Sequence, residues 1–399
     1  MQLAERLSLI KPSPTLAVTA QVAALGRQGI NVIDFGAGEP DFDTPDHIKA
    51  AAVAAIQHGQ TKYTPVGGTA ALKEAIIAKL ERDNGLSYAL SEVTTNSGGK
   101  HTLFNAFHAL FGPGDEVLIP TPYWVSYSDM VILTGARPKL LPTSEETGFK
   151  LTDGQLRAAL GPDTKALLLN SPSNPTGAAY TEHELGQLIE VIEQTDLLVI
   201  SDDVYEKFLY DAPRCAQILA LKPELRDRVL LVNSVSKTYA MTGWRLGYAA
   251  GPANLIKALE TLQSQSTSNP SSISQAAAVA ALTGTQEPVG VMAAEFAKRR
   301  NYIVDRLRAI PGITCTLPEG AFYVFPNVSG YFGASAGDTR IESATDFALY
   351  LLEEARVALV AGEGFGAPNN VRISYATSMA NLEKGMDQIE AALTRLERA

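Results

Sequence analysis

Ser234-Val235-Ser236-Lys237-Thr238-Tyr239-Ala240-Met241-Thr242-Gly243-Trp244-Arg245-Leu246-Gly247-Tyr248 follows directly on the apolar run Val229-Leu230-Leu231-Val232. A buried strand that empties into one lysine among small and hydroxylated residues, with an arginine eight positions later, holds the parts of a Schiff-base site. An amine on a flexible stem reaches a carbonyl, while hydroxyls and a guanidinium hold a phosphate dianion. Burial beside other cations favours the neutral, nucleophilic amine.

Outward from this stretch, helical and extended patterns alternate from about residue 47 to 285. Leu103, Phe104, Phe107, Leu110 and Phe111 recur with the one-face spacing of a helix over Gly98 to Phe111, and an extended run, Glu116 to Pro120, follows. Ala166-Leu167-Leu168-Leu169, Leu197-Leu198-Val199-Ile200 and Val229 to Val232 are short runs apolar on both faces, separated by helical stretches such as Thr181 to Glu193. That pattern predicts an α/β fold with a mostly parallel sheet covered by helices. After about residue 285 the texture changes. A charged helix over Val291 to Arg308 leads to strands at Ala321 to Phe325, Val357 to Val360 and Val371 to Tyr375, then a closing helix from Asn381 to Arg398. Ala334 to Gly337 reads as a small-residue loop. The expected division is a large domain over 47–285 and a smaller α+β domain built from 1–46 and 286–399.

A chain of 399 residues has the length for a large core and two domains. At 46% hydrophobic and 19% charged it has the composition of an ordinary globular protein, and no run approaches the roughly 18 apolar residues of a membrane span. Met1 to Lys11 lacks a signal-peptide core, so the expected location is the cytoplasm. Cys215 and Cys315 offer neither a disulfide framework nor a metal cluster. A net charge of -10 without any basic block argues against nucleic acid as a partner.

In a doubly wound sheet, ligands bind at the carboxyl ends of strands, and four motifs fall at such ends. Asn96-Ser97-Gly98-Gly99-Lys100 precedes a helix, where two glycines let backbone N–H groups approach a phosphate; a tight turn with Asn96 or Ser97 as N-cap is an equal alternative. In Asn170-Ser171-Pro172-Ser173-Asn174-Pro175-Thr176-Gly177, two prolines shape a loop that aims Asn174 over the strand ends. Ser201-Asp202-Asp203-Val204-Tyr205 ends the third run, and a carboxylate there is costly unless it meets a cation. The protonated pyridine nitrogen of pyridoxal 5'-phosphate would satisfy Asp202 and make the ring an electron sink, with Tyr205 reaching the ring hydroxyl. The alternative makes Asp202 or Asp203 a helix N-cap. Lys237, with Ser234, Ser236 and Arg245, is the fourth motif. Gly36-Ala37-Gly38 begins like a dinucleotide fingerprint, but Asp41 stands where its third glycine belongs.

These residues resemble those of the pyridoxal-phosphate-dependent aminotransferases of fold type I, class I and II, and most closely the bacterial aspartate and aspartate/prephenate aminotransferase branch. The likeness runs from Ile10-Lys11-Pro12-Ser13-Pro14-Thr15 through Phe35-Gly36-Ala37-Gly38-Glu39-Pro40-Asp41-Phe42 and Tyr63-Thr64-Pro65 to Arg372-Ile373-Ser374-Tyr375-Ala376. The resemblance implies that Lys237 is the Schiff-base lysine, that Asp202 pairs with the ring nitrogen, that Tyr205 and Asn174 contact the ring hydroxyl, and that Trp124 stacks on the ring. Gly98, Gly99, Lys100, Ser234, Ser236 and Arg245 would form the cofactor and phosphate grip, completed by Tyr63 of a neighbouring subunit in a homodimer. Arg372 would clamp the substrate α-carboxylate beside Gly38. The usual Asp-Glu-x-Tyr appears here as Asp202-Asp203-Val204-Tyr205.

The implied reaction is transfer of an amino group from L-aspartate to 2-oxoglutarate, giving oxaloacetate and L-glutamate, with the freed Lys237 as general base. Lys100 would face the distal carboxylate of dicarboxylic substrates, and Lys11 lies in a segment expected to fold over the site. Prephenate, whose second carboxylate could use the same cations, is a further candidate substrate. A C–S lyase of the same fold is a less favoured alternative.

Overall fold

The computed structural model describes residues 1, 3–12, 14–212, 214–337 and 339–397. A short strand, β1 (Ile33–Asp34), precedes the principal sheet. That sheet comprises β2 (Val93–Asn96), β3 (Glu116–Thr121), β4 (Arg137–Pro142), β5 (Thr164–Asn170), β6 (Leu198–Asp202), β7 (Val229–Ser234) and β8 (Gly247–Ala250). Their spatial order is β2-β8-β7-β6-β5-β3-β4, and all neighbours are parallel except β8, which opposes both β2 and β7. The mostly parallel sheet read from the sequence is therefore present, with one reversed strand.

Alternation along the strands sends apolar side chains to two cores, which is why the runs read as continuous. Leu167, Val199 and Leu231 pack on one face with Leu188 and Ala278. Leu168, Ile200 and Val232 pack on the other with Leu103, Phe107 and Leu259. The helix Glu182–Glu193 forms where predicted: the Thr181 hydroxyl accepts from Glu184 N at 3.2 Å while the Glu184 carboxylate accepts from Thr181 N at 2.8 Å, and Leu185, Leu188, Ile189 and Ile192 face inward.

The remaining strands are β9 (Tyr323–Val324), β10 (Ser335–Ala336), β11 (Thr339–Arg340), β12 (Val357–Ala358), β13 (Val360–Ala361) and β14 (Val371–Ser374). β13, β14 and β9 make an antiparallel sheet, while β1 pairs in parallel with β12. The helix Glu287–Ala309 buries Phe296, Ile303 and Leu307 in a third core with Phe35, Phe322 and Ile389, and Tyr205 and Phe208 join that core from the principal-sheet segment.

Several boundaries differ from the sequence reading for identifiable reasons. The run 321–325 yields only Tyr323–Val324, because Ala321 takes a left-handed φ of 57° that breaks the strand. The run 357–360 splits, since Val357–Ala358 pairs with β1 and Val360–Ala361 with β14. Ser335–Ala336 is a hairpin arm rather than a simple loop. The closing helix is Met379–Leu393, capped by the Ser378 hydroxyl; the expected end, Arg398, lies outside the described residues, as does Ser13. Among the described residues no helix is long and apolar enough to cross a membrane.

Behind the strand ends sits a buried ion pair. Lys79 Nζ donates to the Glu206 carboxylate, which also accepts from Asn84 Nδ2 and Asn233 Nδ2, each at 2.8 Å. Asn233 Oδ1 in turn accepts from Ser234 N at 2.7 Å, so the pair bears on the end of β7. Glu206→Leu removes the close partner of Lys79, leaving it Asn84 Oδ1 at 2.8 Å and Asp83 at 3.8 Å, and should cost about 3 kcal/mol in urea unfolding; a loss under about 1 kcal/mol would mean the pair contributes little.

Candidate active site

Register brings the strand ends level. Asn170 lies opposite Asp202, Asp202 opposite Val232, and Gly247 opposite both Asn96 and Ser234. Of these, Asn170, Asp202 and Ser234 line a cavity of about 380 Å³.

One end of the cavity is built for an anion. Gly98, at φ 97°, precedes the helix Gly99–Leu110; His101 N and Thr102 N donate to Gly98 O, which leaves the Gly99 and Lys100 N–H groups outside the helix ladder. The alternative cap fails, because no side chain caps this helix and Asn96 Nδ2 instead donates to Gln263 Oε1. A Cβ on Gly98 would sit 2.6 Å from Arg245 Nη2, and one on Gly247 would sit 2.3 Å from Gly99 N. Only glycine at these positions lets the turn, the β8 backbone and the guanidinium close up. Ser234 Oγ and Ser236 Oγ are 2.7 Å apart, and Arg245 Nη1 donates to Thr242 O at 2.7 Å. Gly99, Lys100, Ser234, Ser236 and Arg245 all line the cavity; Gly98 stands behind them against Arg245.

Asp202 and Lys237 occupy the floor. Tyr127 donates to Asp202 Oδ2 at 2.6 Å, and Val204 N approaches Oδ1 at 3.4 Å. Burial pushes the Asp202 carboxyl up to about 6, against the lowering pull of Tyr127, Val204 N and the Lys237 charge. Neither Asp202 nor Asp203 caps a following helix: Asp203 accepts from Ser201 Oγ and Gln217 Nε2 at 2.7 and 3.0 Å and does not line the cavity. Lys237 Nζ donates to Gly38 O. Burial lowers the Lys237 amine to about 8; the charges of Arg372 and Arg245 add to this, while Glu39 and Asp202 oppose it.

Arg372 forms another wall. Its Nη1 donates to Asn174 Oδ1 at 3.0 Å and its Nη2 to Gly36 O at 2.7 Å, while Nε is buried without a partner. The guanidinium lies 4.6 Å from the Tyr323 ring centroid, and Tyr323 and Tyr205 hydroxyls share a 2.8 Å hydrogen bond. Trp124 meets Tyr127 edge-on at 5.2 Å, and Lys100 Nζ stands 4.8 Å from the Trp124 centroid. Burial, then Arg245, lowers the Lys100 amine below the usual lysine range.

Two anticipated residues do not line this cavity, one of them expected to serve a neighbouring subunit instead. Tyr63 is 91% exposed and lines no part of this cavity. Lys11 is exposed and lies beside Asp129, so its segment reaches the cavity through Thr15 and Leu16 instead. The sequence reading also passed over Tyr127 and Tyr323, whose signal was a phenol inside an apolar element that must find a polar partner.

This set fits pyridoxal phosphate on its own chemistry: a cradle with no room for a Cβ at Gly98 or Gly247, paired hydroxyls and a guanidinium for the phosphate, a buried carboxylate for the ring nitrogen and an amine lowered to about 8. Comparison with known proteins agrees. The family model described as aminotransferase class I and II matches residues 30–389. The aspartate aminotransferase of Geobacillus stearothermophilus is 51% identical over 389 residues, covering 98% of each chain. An aspartate/prephenate aminotransferase of Cereibacter sphaeroides is 52% identical over 391 residues, again covering 98% of each. The crystal structure of the Rhizobium meliloti aspartate aminotransferase superposes with a TM-score of 0.96 at 50% identity, covering 100% of both chains. The Thermus thermophilus aspartate aminotransferase with maleate gives 0.92 at 40% identity, covering 98% of this chain and 100% of that one.

A lysine whose folded pKa is depressed withholds stability below that pKa and restores it as pH rises towards the unfolded value near 10.5. In the cofactor-free protein, Lys237→Met should therefore raise unfolding free energy at pH 7 by about 1–3 kcal/mol, shrinking to near zero by about pH 10.5. Paired urea melts at both pH values check this, and an increment independent of pH would refute it.

Proposed function

This chain belongs to the class I and II aminotransferases, and we propose that Lys237, Asp202 and Tyr205 are the working groups with which it moves an amino group from L-aspartate to 2-oxoglutarate. It is a pyridoxal-phosphate-dependent transaminase acting on aspartate. The observation that carries the residue roles is the meeting of two cations, Arg372 and Lys100, with Lys237 and Asp202 around one cavity.

When bound, pyridoxal phosphate supplies a protonated ring that takes up the electrons released at the substrate Cα. Gly98, Gly99, Ser234, Ser236 and Arg245 hold its phosphate, and the Asp202 carboxylate keeps the ring nitrogen protonated. The Tyr127 hydrogen bond favours the ionised Asp202, which suits a group that faces a cation. Asn174 and Tyr205 would contact the ring hydroxyl, and Trp124 would cover the ring face. Lys237 would hold the cofactor between turnovers; once freed, its amine, lowered to about 8, would take the proton from the substrate Cα and deliver it to the cofactor carbon bonded to the amino nitrogen. Arg372 forks onto the α-carboxylate, for which its buried, pinned plane is suited. Gly38 leaves room there, since a Cβ would lie 3.3 Å from Tyr323 Oη and 4.0 Å from Arg372 Nη2.

Lys100 takes the distal carboxylate of aspartate or glutamate. Dicarboxylate binding is supported by the maleate in the Thermus thermophilus relative. Prephenate, named for the Cereibacter sphaeroides relative, is a second acceptor of the same charge pattern. A homodimer with shared sites belongs to the proposal too, supported by Tyr63 standing 91% exposed in a chain that also exposes Val53 and Ile56. Cytoplasmic residence is in keeping with the acidic chain and its two buried, free cysteines. The proposed division into 47–285 and the remainder rests on separate cores around the principal sheet and around Phe296.

The test is an absorbance titration of the pyridoxal-phosphate-loaded protein with L-aspartate alone, then 2-oxoglutarate. Aspartate should convert the cofactor to its amine form and 2-oxoglutarate should restore it; an unchanged spectrum with aspartate would reject the substrate assignment. Lys100→Ala should raise KM for aspartate about 10-fold or more while changing that for an aromatic donor by less than about 2-fold. Equal losses for both donors would remove Lys100 from distal recognition.

A further inference from the structure

We infer that Gln263 is a positioning residue that ties a subunit's own phosphate cradle to the segment carrying Tyr63 into the neighbouring site. The inference rests on the proposed shared site. Gln263 lies in the last turn of the helix Ala253–Ser264 and is fully buried, and its amide is used on both sides. Its Oε1 accepts from Asn96 Nδ2 at 2.5 Å and, more loosely, from Asn105 Nδ2 at 3.4 Å. Its Nε2 donates to Val66 O at 2.6 Å and Thr95 O at 2.9 Å. Two donors and two acceptor positions are all that a primary amide has.

The acceptor side leads to the cradle. Asn96 ends β2, its carbonyl accepts from Gly98 N at 2.7 Å, and Asn105 stands on the helix Gly99–Leu110 that the cradle opens. The donor side leads to Tyr63. Gly67 O accepts from Thr95 N at 2.9 Å and from Thr95 Oγ1 at 3.1 Å. A Cβ on Gly68 would come 2.3 Å from Thr95 Oγ1, and one on Gly67 would come 1.8 Å from Glu260 Oε1. The segment after Tyr63 is thus pressed flush on β2 and on Gln263's own helix. Gln275, also buried, holds its next part through Thr64 Oγ1 and Thr69 N, both at 2.9 Å. Tyr63 itself is left projecting from this anchored backbone. The Gln263 amide therefore couples the cradle to the segment that roots the tyrosine, with Gln275 holding Thr64 beside Tyr63.

Hybrid dimers separate the two directions. One subunit carries Lys237→Ala, so the cofactor dissociation constant of the other site is read from the visible absorbance that only a Lys237-bearing site produces. Gln263→Met placed in the Lys237→Ala subunit should raise that constant about 3- to 10-fold, the scale of a lost hydrogen bond or two. Tyr63→Phe in the same subunit should act in the same direction. Asn105→Leu there, which removes only the long bond, should leave the constant unchanged. Sedimentation confirms that each hybrid is a dimer. If the methionine variant does not assemble, Gln263→Asn retracts the amide by one methylene and carries the same expectation. An unchanged constant with the Gln263 variant, while Tyr63→Phe raises it, overturns the inference and leaves the shared site standing. No effect of Tyr63→Phe overturns both.

Discussion

Arg372 is the largest fully buried side chain, and among the described residues no carboxylate lies within ion-pair distance of it. An isolated buried cation is costly unless its donors are met. Here neutral groups do much of this: the Asn174 and Gly36 oxygens, and the ring faces of Tyr323 and Phe365 at 4.6 and 5.3 Å. Asp34 contributes at longer range; burial raises its carboxyl while Gly36 N, Ala37 N and the Arg372 charge pull it down. The loop after β5, the segment after β1, β9 and β14 must all be correctly placed for this to work. A guanidinium solvated mainly by dipoles, with its one carboxylate partner at longer range, retains most of its affinity for an anion. That is the physical reason a substrate carboxylate completes the arrangement in the proposed roles.

The same economy governs the floor. Asp202 and Lys237 face one cavity but make no ion pair with each other within 4 Å among the described residues; each is bound to a neutral group, Tyr127 or Gly38 O. A direct pair would satisfy both and leave neither free for a ligand. Burial then moves the two towards neutrality from opposite sides, to about 6 and about 8. The strong pairing is placed one layer back, where Lys79 and Glu206 brace Asn233. Rigidity and reactivity are thus held by different charges.

What the sequence made legible follows from where burial is two-sided. β5, β6 and β7 were visible as unbroken apolar runs, and the helix Gly99–Leu110 as a one-face pattern. β2 is Val-Thr-Thr-Asn and β8 Gly-Tyr-Ala-Ala, buried but too polar or too small to register. β4 is an edge strand with a proline at each end of its Pro-Lys-Leu-Leu-Pro core, which reads as a breaker. Lys237 and Asp202 stood out because a charge at the end of an apolar run demands an explanation, whereas Arg372 came only with the family resemblance. Tyr127 and Tyr323 did not, because a phenol in such a run looks like core until its hydroxyl partner is known. The reach of Lys11 and the splitting of 357–361 depend on which distant segment lies alongside, which no local pattern encodes.

The two cations proposed for substrate differ in a way that bears on breadth of specificity. Arg372 is pinned on both sides and cannot retreat, which suits the α-carboxylate common to every amino acid. Lys100 has no hydrogen bond or ion pair among the described residues and rests against Trp124 with a lowered affinity for its proton. A long, flexible amine of this kind binds a distal carboxylate when one is present. When the side chain is neutral, its flexible stem lets it turn aside. A fixed fork at one end and a yielding cation at the other would let a single cavity of about 380 Å³ accept dicarboxylates that differ in length and shape. On this reasoning aspartate and the bulkier prephenate are not competing assignments: the same two cations would serve both.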